Sequence, residues 1–197
     1  MRPGDGFWIP ARPTIAPLAR AILRLRVEGG HNVPRTGPLL LVSNHESWWD
    51  IPALGAAQPR KIRFMAKSEL FAVRGFGAFI RFGGAFPVRR GEPDRDALRQ
   101  VREILAAGEI VCIFIQGHRQ PDLTGAKSGA GRFAVVEDAP VVPAAVRGTR
   151  EWKPGASARV SFGEPVRYER GDRRPSQAYR ETADDIMARI RTLYERP

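Results

Sequence analysis

Leu39-Leu40-Leu41-Val42-Ser43-Asn44-His45-Glu46-Ser47-Trp48-Trp49-Asp50-Ile51-Pro52 runs without a break from an apolar stretch into a cluster of polar groups. The apolar part is too short for a helix and reads as a buried strand, so the polar cluster falls where a strand ends. On a continuous helix, residues five apart lie about 140° out of phase, and His45 and Asp50 would not meet. They meet across a bend, if the strand ends near Ser43 and a helix starts near Ser47. The carboxylate would then hold one imidazole nitrogen protonated and leave the other free as a general base. The same spacing also fits a local role. Ser47 with Asp50 three residues later suits an N-cap and capping box, in which Asp50 serves only the helix.

Outward from this stretch, further short apolar runs bounded by turn residues read as strands over 39–43, 62–66, 85–88, 110–115, 141–146 and 158–162. Helical stretches lie between them. The clearest spans 94–107, where Ala97, Leu98, Val101, Ile104 and Leu105 follow the 3.6-residue period and Gly108 supplies the stop. A final amphipathic helix is expected over 177–194, with Thr182, Ile186, Ile190 and Leu193 as its apolar stripe, after a basic loop at 168–175. Strands alternating with helices predict an α/β fold, a mixed sheet flanked by helices. At the other end, an amphipathic helix is expected over 7–27. It opens with Phe7, Trp8 and Ile9 and gathers Ile15, Leu18, Ala19, Ile22 and Leu23 on one arc, with Arg20 and Arg24 opposite. Such a helix is either an interfacial membrane anchor or a helix packed on the core.

A chain of 197 residues, 43% apolar and 27% charged, suits one domain with a sizeable core and excludes a disordered protein. We divide it into an amphipathic N-terminal segment, 1–30, and a domain over 31–197. The 32 basic residues outnumber 21 acidic ones, for a net charge of +11, and 28 of the 32 are Arg. Guanidinium groups favour anionic partners such as phosphate esters, anionic bilayer surfaces or nucleic acid. The arginines are spread along the chain and no nucleic-acid recognition motif accompanies them, so no nucleic-acid partner is expected. The single cysteine, Cys112, excludes a disulfide framework and sits in an apolar run, where it reads as a small buried hydrophobe. With no signal sequence and no apolar run near the ~20 residues of a membrane span, a cytoplasmic location with peripheral membrane contact is expected.

The sequence resembles the 1-acylglycerol-3-phosphate acyltransferases and their glycerolipid relatives, which carry an Asn-His, four residues, Asp motif. Residues 44–50 fit that first block. The likeness continues through Phe64-Met65-Ala66-Lys67-Ser68-Glu69-Leu70-Phe71 and the second block, Gly84-Ala85-Phe86-Pro87-Val88-Arg89-Arg90. Val141-Val142-Pro143-Ala144 with Gly148-Thr149 is similar to the fourth. The third block departs. Where the family usually has Phe-Pro-Glu-Gly-Thr-Arg, this chain has Phe114-Ile115-Gln116-Gly117-His118-Arg119. An amide in place of a carboxylate keeps the shape, removes a charge and adds two donors.

The resemblance implies acyl transfer from acyl-CoA or acyl carrier protein to a lysophospholipid hydroxyl, with 1-acylglycerol-3-phosphate the leading acceptor. No cofactor and no metal are expected. His45 would deprotonate the hydroxyl and Asp50 would orient the imidazole. Arg119 is the first choice for the acceptor phosphate and Arg89 or Arg90 the next, with Lys67 either joining them or pairing with Glu69. Gly117 would lend an oxyanion N–H or merely form a turn, and Gln116 bears on the acceptor. Trp48 and Trp49 either line an acyl channel or pack the helix. Membrane contact is expected on the inner face of the cell membrane. Two rival functions remain on these residues: a catalytically altered relative that holds lipid or acylates another hydroxyl, and a metal hydrolase using His45, Asp50, His118 and Asp122.

Overall fold

Strand β2 (Leu39–Ser43) lies between two parallel neighbours, β5 (Ile110–Phe114) and β6 (Val141–Arg147), and every one of its residues is buried. A strand covered on both faces has no polar side to show. That is why its sequence is an unbroken apolar run and not an alternation. Beyond β5 come β3 (Ile62–Lys67) and β4 (Phe86–Val88), again parallel. Beyond β6 lies the antiparallel β7 (Arg159–Phe162), and β1 (Arg26–Glu28) closes that edge parallel to β7. The computed structural model describes residues 5–89 and 95–197, and its seven strands run in the order β1-β7-β6-β2-β5-β3-β4.

Successive side chains of the central strands feed two cores. Leu40, Val42, Val111, Ile113 and Val141 point to α4 (Arg95–Ala106), α5 (Ser128–Val136) and α6 (Pro175–Glu195). Leu39, Leu41, Cys112 and Val142 point the other way, to α2 (Asp50–Ala57) and to Leu23 just after α1 (Asp5–Ile22). The fold is the expected mixed α/β sheet with helices on both faces. Gly131 sets the spacing of α5 against α6, since a Cβ there would lie 1.9 Å from the Tyr179 carbonyl oxygen. The stripe Thr182, Ile186, Ile190 and Leu193 is buried as its period requires.

The N-terminal helix is shorter than its sequence pattern. It stops at Ile22, and Val27, which was expected to be helical, pairs with Val160 in the sheet. The stop is made by Arg24, held at φ 43°. Leu25 N–H returns to Arg20 O (2.9 Å) and Arg24 N–H to Ala21 O (3.2 Å), a left-handed cap that usually takes glycine. The Arg24 guanidinium steadies it by donating to Gly155 O at 2.9 Å. A short helix, α3 (Phe76–Phe82), follows β3. Among the described residues no helix is long and apolar enough to cross a membrane. Arg90 lies outside the described residues, as do the side chains of Phe7, Trp8 and Ile9.

Because β2, β3, β4, β5 and β6 all run in one direction, their carboxyl ends share one edge of the sheet. Residues 44–50, Lys67, Arg89, 116–119 and 148–149 all follow those ends. Open α/β sheets place ligands along such an edge.

Candidate active site

The site starts with Asn44, fully buried one residue past β2. Its amide donates to Val146 O and accepts from Val146 N, both at 2.8 Å, so a side chain extends the β2–β6 ladder by one rung. This rung fixes where His45 leaves the sheet. The imidazole stacks on the Phe114 ring, centroids 3.8 Å apart and planes within 12°, with 9% of the residue exposed. Its Nδ1 lies 2.7 Å from Asp50 Oδ2. With Nδ1 donating to a carboxylate, the lone pair resides on Nε2, and Nε2 has no protein partner among the described residues.

Asp50 opens α2 and is fully buried. Its Oδ2 also accepts from the backbone N–H groups of Glu46 (2.7 Å) and Ser47 (2.9 Å), and Oδ1 accepts from the Thr149 hydroxyl (2.5 Å). The bend and the helix start therefore share one carboxylate. The Ser47 hydroxyl accepts from Trp49 N–H at 3.0 Å, and Trp49, the residue before α2, makes no side-chain cap. The capping box that the spacing also suited is not formed: α2 begins at Asp50, Ser47 lies ahead of its N-cap, and Asp50 N–H goes to the Ser47 carbonyl, which leaves Asp50 tying the bend and holding the imidazole. Four donors on one buried anion satisfy it without a cation.

The loop after β5 is hung from the same residues. His45 O accepts from Gln120 N–H at 2.9 Å, and Ile115 O accepts from Lys127 N–H at 2.9 Å. Gln116 is buried beneath this loop. Its Oε1 accepts from His45 N–H (3.3 Å), while its Nε2 donates to Asp122 O (2.6 Å) and Thr124 O (3.2 Å). The amide thus ties the dyad's backbone to the loop and presents no group to a ligand. Gly117 turns at φ 74°, and its N–H donates to Phe114 O at 2.9 Å. That N–H closes a turn and is not available to an oxyanion, a correction to the first of its two expected roles.

Arg119 projects from the loop with its guanidinium 4.4 Å from the centroid of the Trp48 ring. Trp48 is half exposed and meets Phe76 edge-on at 6.3 Å, while Trp49 tilts against Trp152 at 4.8 Å. His118 is exposed, its Nε2 2.7 Å from the Gln120 amide nitrogen. Asp122 is exposed too, and its Oδ1 accepts from the Thr124 hydroxyl. Lys67 and Arg89 sit at adjacent exposed strand ends, two and three strands from β2. The structure therefore brings His45, Asp50, Gln116, Gly117 and Arg119 into one group, with Lys67 and Arg89 further along the same edge. Among the described residues no three His, Cys, Asp or Glu side chains are grouped as metal ligands.

Residues 24–147 match the acyltransferase family model. The chain belongs to the acyltransferase family. This acyltransferase is 34% identical to a 1-acyl-sn-glycerol-3-phosphate acyltransferase of Bacillus subtilis (strain 168) over 155 residues, which are 75% of this chain and 78% of that one. A Streptococcus pneumoniae enzyme of the same name is 32% identical over 133 residues, 64% of this chain and 49% of its own. A lyso-ornithine lipid O-acyltransferase of Pseudomonas aeruginosa is 37% identical over 98 residues, 49% of this chain and 37% of that one. In fold, the acyltransferase is similar to the crystal structure of the 1-acyl-sn-glycerophosphate acyltransferase PlsC from Thermotoga maritima. That likeness has a TM-score of 0.68 at 23% identity and covers 95% of this chain and 84% of that one.

Sequence reasoning missed three side chains at the site. Asn44 and Thr149 stood inside quoted motifs without a role. Tyr194, whose hydroxyl donates to Glu46 Oε1 at 2.6 Å, is 148 positions away in sequence and no local pattern pointed to it. Burial raises the pKa of Glu46, and the Asp50 charge adds to the rise. Burial and the Glu46 carboxylate push the Tyr194 phenol up to about 12.

Proposed function

We propose that this chain transfers an acyl group from acyl-CoA or acyl carrier protein to the free hydroxyl of 1-acylglycerol-3-phosphate, with His45 as general base. The observation that carries the proposal is the Asp50-held imidazole, 2.7 Å at Nδ1, with an unpartnered Nε2 at the carboxyl edge of the sheet. Nε2 takes the hydroxyl proton as the oxygen attacks the thioester carbonyl. The tetrahedral intermediate collapses, and the thiolate leaves with the proton returned by the imidazolium. Asp50 offsets the charge of that imidazolium, and no acyl-enzyme or cofactor is required.

Arg119 is the phosphate ligand in this scheme, positioned by its stacking on Trp48 and by the bond from Gln120 N–H to His45 O. Lys67 and Arg89 add positive charge along the edge. The test is free thiol release, which should require an acceptor lipid. Arg119→Ala should raise the acceptor KM about ten- to a hundredfold and leave kcat within about twofold, since a charged hydrogen bond contributes roughly 1.5–3 kcal/mol. Thiol release that ignores the acceptor would contradict the proposal. The likeness to lyso-ornithine lipid acyltransferases favours a second acceptor, so a lyso-ornithine lipid belongs in the same assay beside lysophosphatidate. If only the former supports turnover, the acceptor assignment changes and the chemistry stands.

Membrane contact is proposed through α1, within the N-terminal segment 1–30, at the inner face of the cell membrane. The apolar arc is divided: Leu23 is buried and Arg20 donates to Ala56 O (2.8 Å) on the inner side, while Ile15, Leu18 and Ile22 remain 46%, 59% and 42% exposed. Three large apolar side chains at helical spacing on a basic protein suit an anionic bilayer surface. Leu18→Asp with Ile22→Asp should reduce cosedimentation with vesicles containing phosphatidylglycerol about tenfold or more. Unchanged cosedimentation would remove α1 from the proposal.

A further inference from the structure

Glu46 is a second carboxylate beside the dyad, and the mechanism above gives it no task. One of its oxygens receives the Tyr194 hydroxyl at 2.6 Å, and the other lies 3.3 Å from Thr149 Oγ1. Thr149 Oγ1 is in turn 2.5 Å from Asp50 Oδ1, the oxygen of Asp50 that faces away from His45. A hydroxyl has one proton, and the shorter contact takes it, so Thr149 donates to Asp50, and the 3.3 Å contact is a hydrogen bond when Glu46 is protonated and donates to Thr149 Oγ1. The series Tyr194, Glu46, Thr149, Asp50, His45 is therefore continuous, with each gap within hydrogen-bond distance. It links the last turn of α6 to the imidazole.

Tyr194 is itself pinned. Arg147 at the end of β6 lies over its ring at 5.5 Å and donates to its backbone carbonyl at 3.2 Å. Asp50 already takes three donors on Oδ2, so the Thr149 hydroxyl alone fixes the rotation of Oδ1. We infer that Thr149 and Tyr194 are positioning residues of the acyl-transfer reaction, acting through Glu46 to hold Asp50 in the plane that keeps Nε2 of His45 aimed at the acceptor hydroxyl. The inference rests on His45 being the base. The groups that set the charge here are Asp50 on α2, His45 and Glu46 in the bend, Tyr194 on α6, Arg147 on β6, and Arg150, which contributes both its backbone N–H and its guanidinium charge.

The experiment is acceptor-dependent thiol release from acyl-CoA, with lysophosphatidate as acceptor, read as separate kcat and KM values. Thr149→Val keeps the shape and removes the hydroxyl. It should lower kcat about ten- to a hundredfold at unchanged KM, as misplacement of a base requires. Thr149→Ser should restore most of the rate. Tyr194→Phe, at the end of a helix and tolerant of the change, should lower kcat by a smaller factor in the same pattern, and it decides the matter if Thr149→Val fails to fold. If His45→Ala is inactive but both hydroxyl deletions leave kcat at wild-type values and lower only the melting temperature, the inference is overturned. If His45→Ala turns over at the wild-type rate, the general-base assignment falls and takes the inference with it.

Discussion

Replacing His45 by alanine is expected to lower acceptor-dependent turnover by about 10²–10⁴-fold, the usual contribution of a positioned base. The fold should survive. The ring is lost from a 3.8 Å stack on Phe114, but the backbone of His45 still accepts from Gln120 N–H and still donates to Gln116. Circular dichroism should therefore match the wild type while thiol release disappears. Asp50→Asn separates orientation from charge. An amide presents one acceptor oxygen where the carboxylate served four donors, so this variant should lose both activity and stability. A His45→Ala protein that still releases thiol at the wild-type rate would remove the base from the mechanism.

Installing the carboxylate that the family resemblance suggests, Gln116→Glu, is expected to harm this protein. The amide nitrogen donates to the Asp122 and Thr124 carbonyls, and a carboxylate oxygen in its place would face both as a third acceptor. Buried and unpaired, the new carboxyl should bind its proton more tightly in the folded than in the unfolded chain. The sign follows from that order: the folded pKa lies above the unfolded ~4.3, so the variant is least impaired below that value. Stability is then lost as pH rises through the folded pKa, reaching about 3 kcal/mol near neutrality if that pKa is raised by roughly two units. Denaturation midpoints of the variant and wild type at acid and neutral pH check this. A constant difference, or a variant stabilised at neutral pH, would mean that the loop does not depend on the amide.

How far the chain could be read depended on where each interaction partner lies. Leu39 to Val42 revealed a buried strand because coverage on both faces leaves its own mark, an apolar run with no alternation. Residues 97–105 revealed a helix because one face alone is covered. The end of α1 was not legible, because the stop is an arginine in a glycine conformation, stabilised by Gly155 from a remote turn. Strand β1 is three residues with one apolar side chain, too short for any period. The convergence of His45 and Asp50 was one of the two readings their spacing allowed, the other being a capping role for Asp50. The task of Gln116 did not, because its acceptors are backbone carbonyls, and carbonyls leave no trace in residue identity. Tyr194 was invisible for a plainer reason: only the completed packing of α6 brings it to Glu46.

Cys112 occupies the middle of β5, with no exposed surface and a thiol pKa driven up by burial. Only the unfolded chain would offer that sulfur to an Ellman-type reagent. A colorimetric readout of liberated CoA therefore has no background from the catalyst, and any slow extra colour measures its denaturation. Left alone, the same atom makes a built-in gauge of global opening. A second cysteine placed on the surface would accept a fluorophore without the native one being removed.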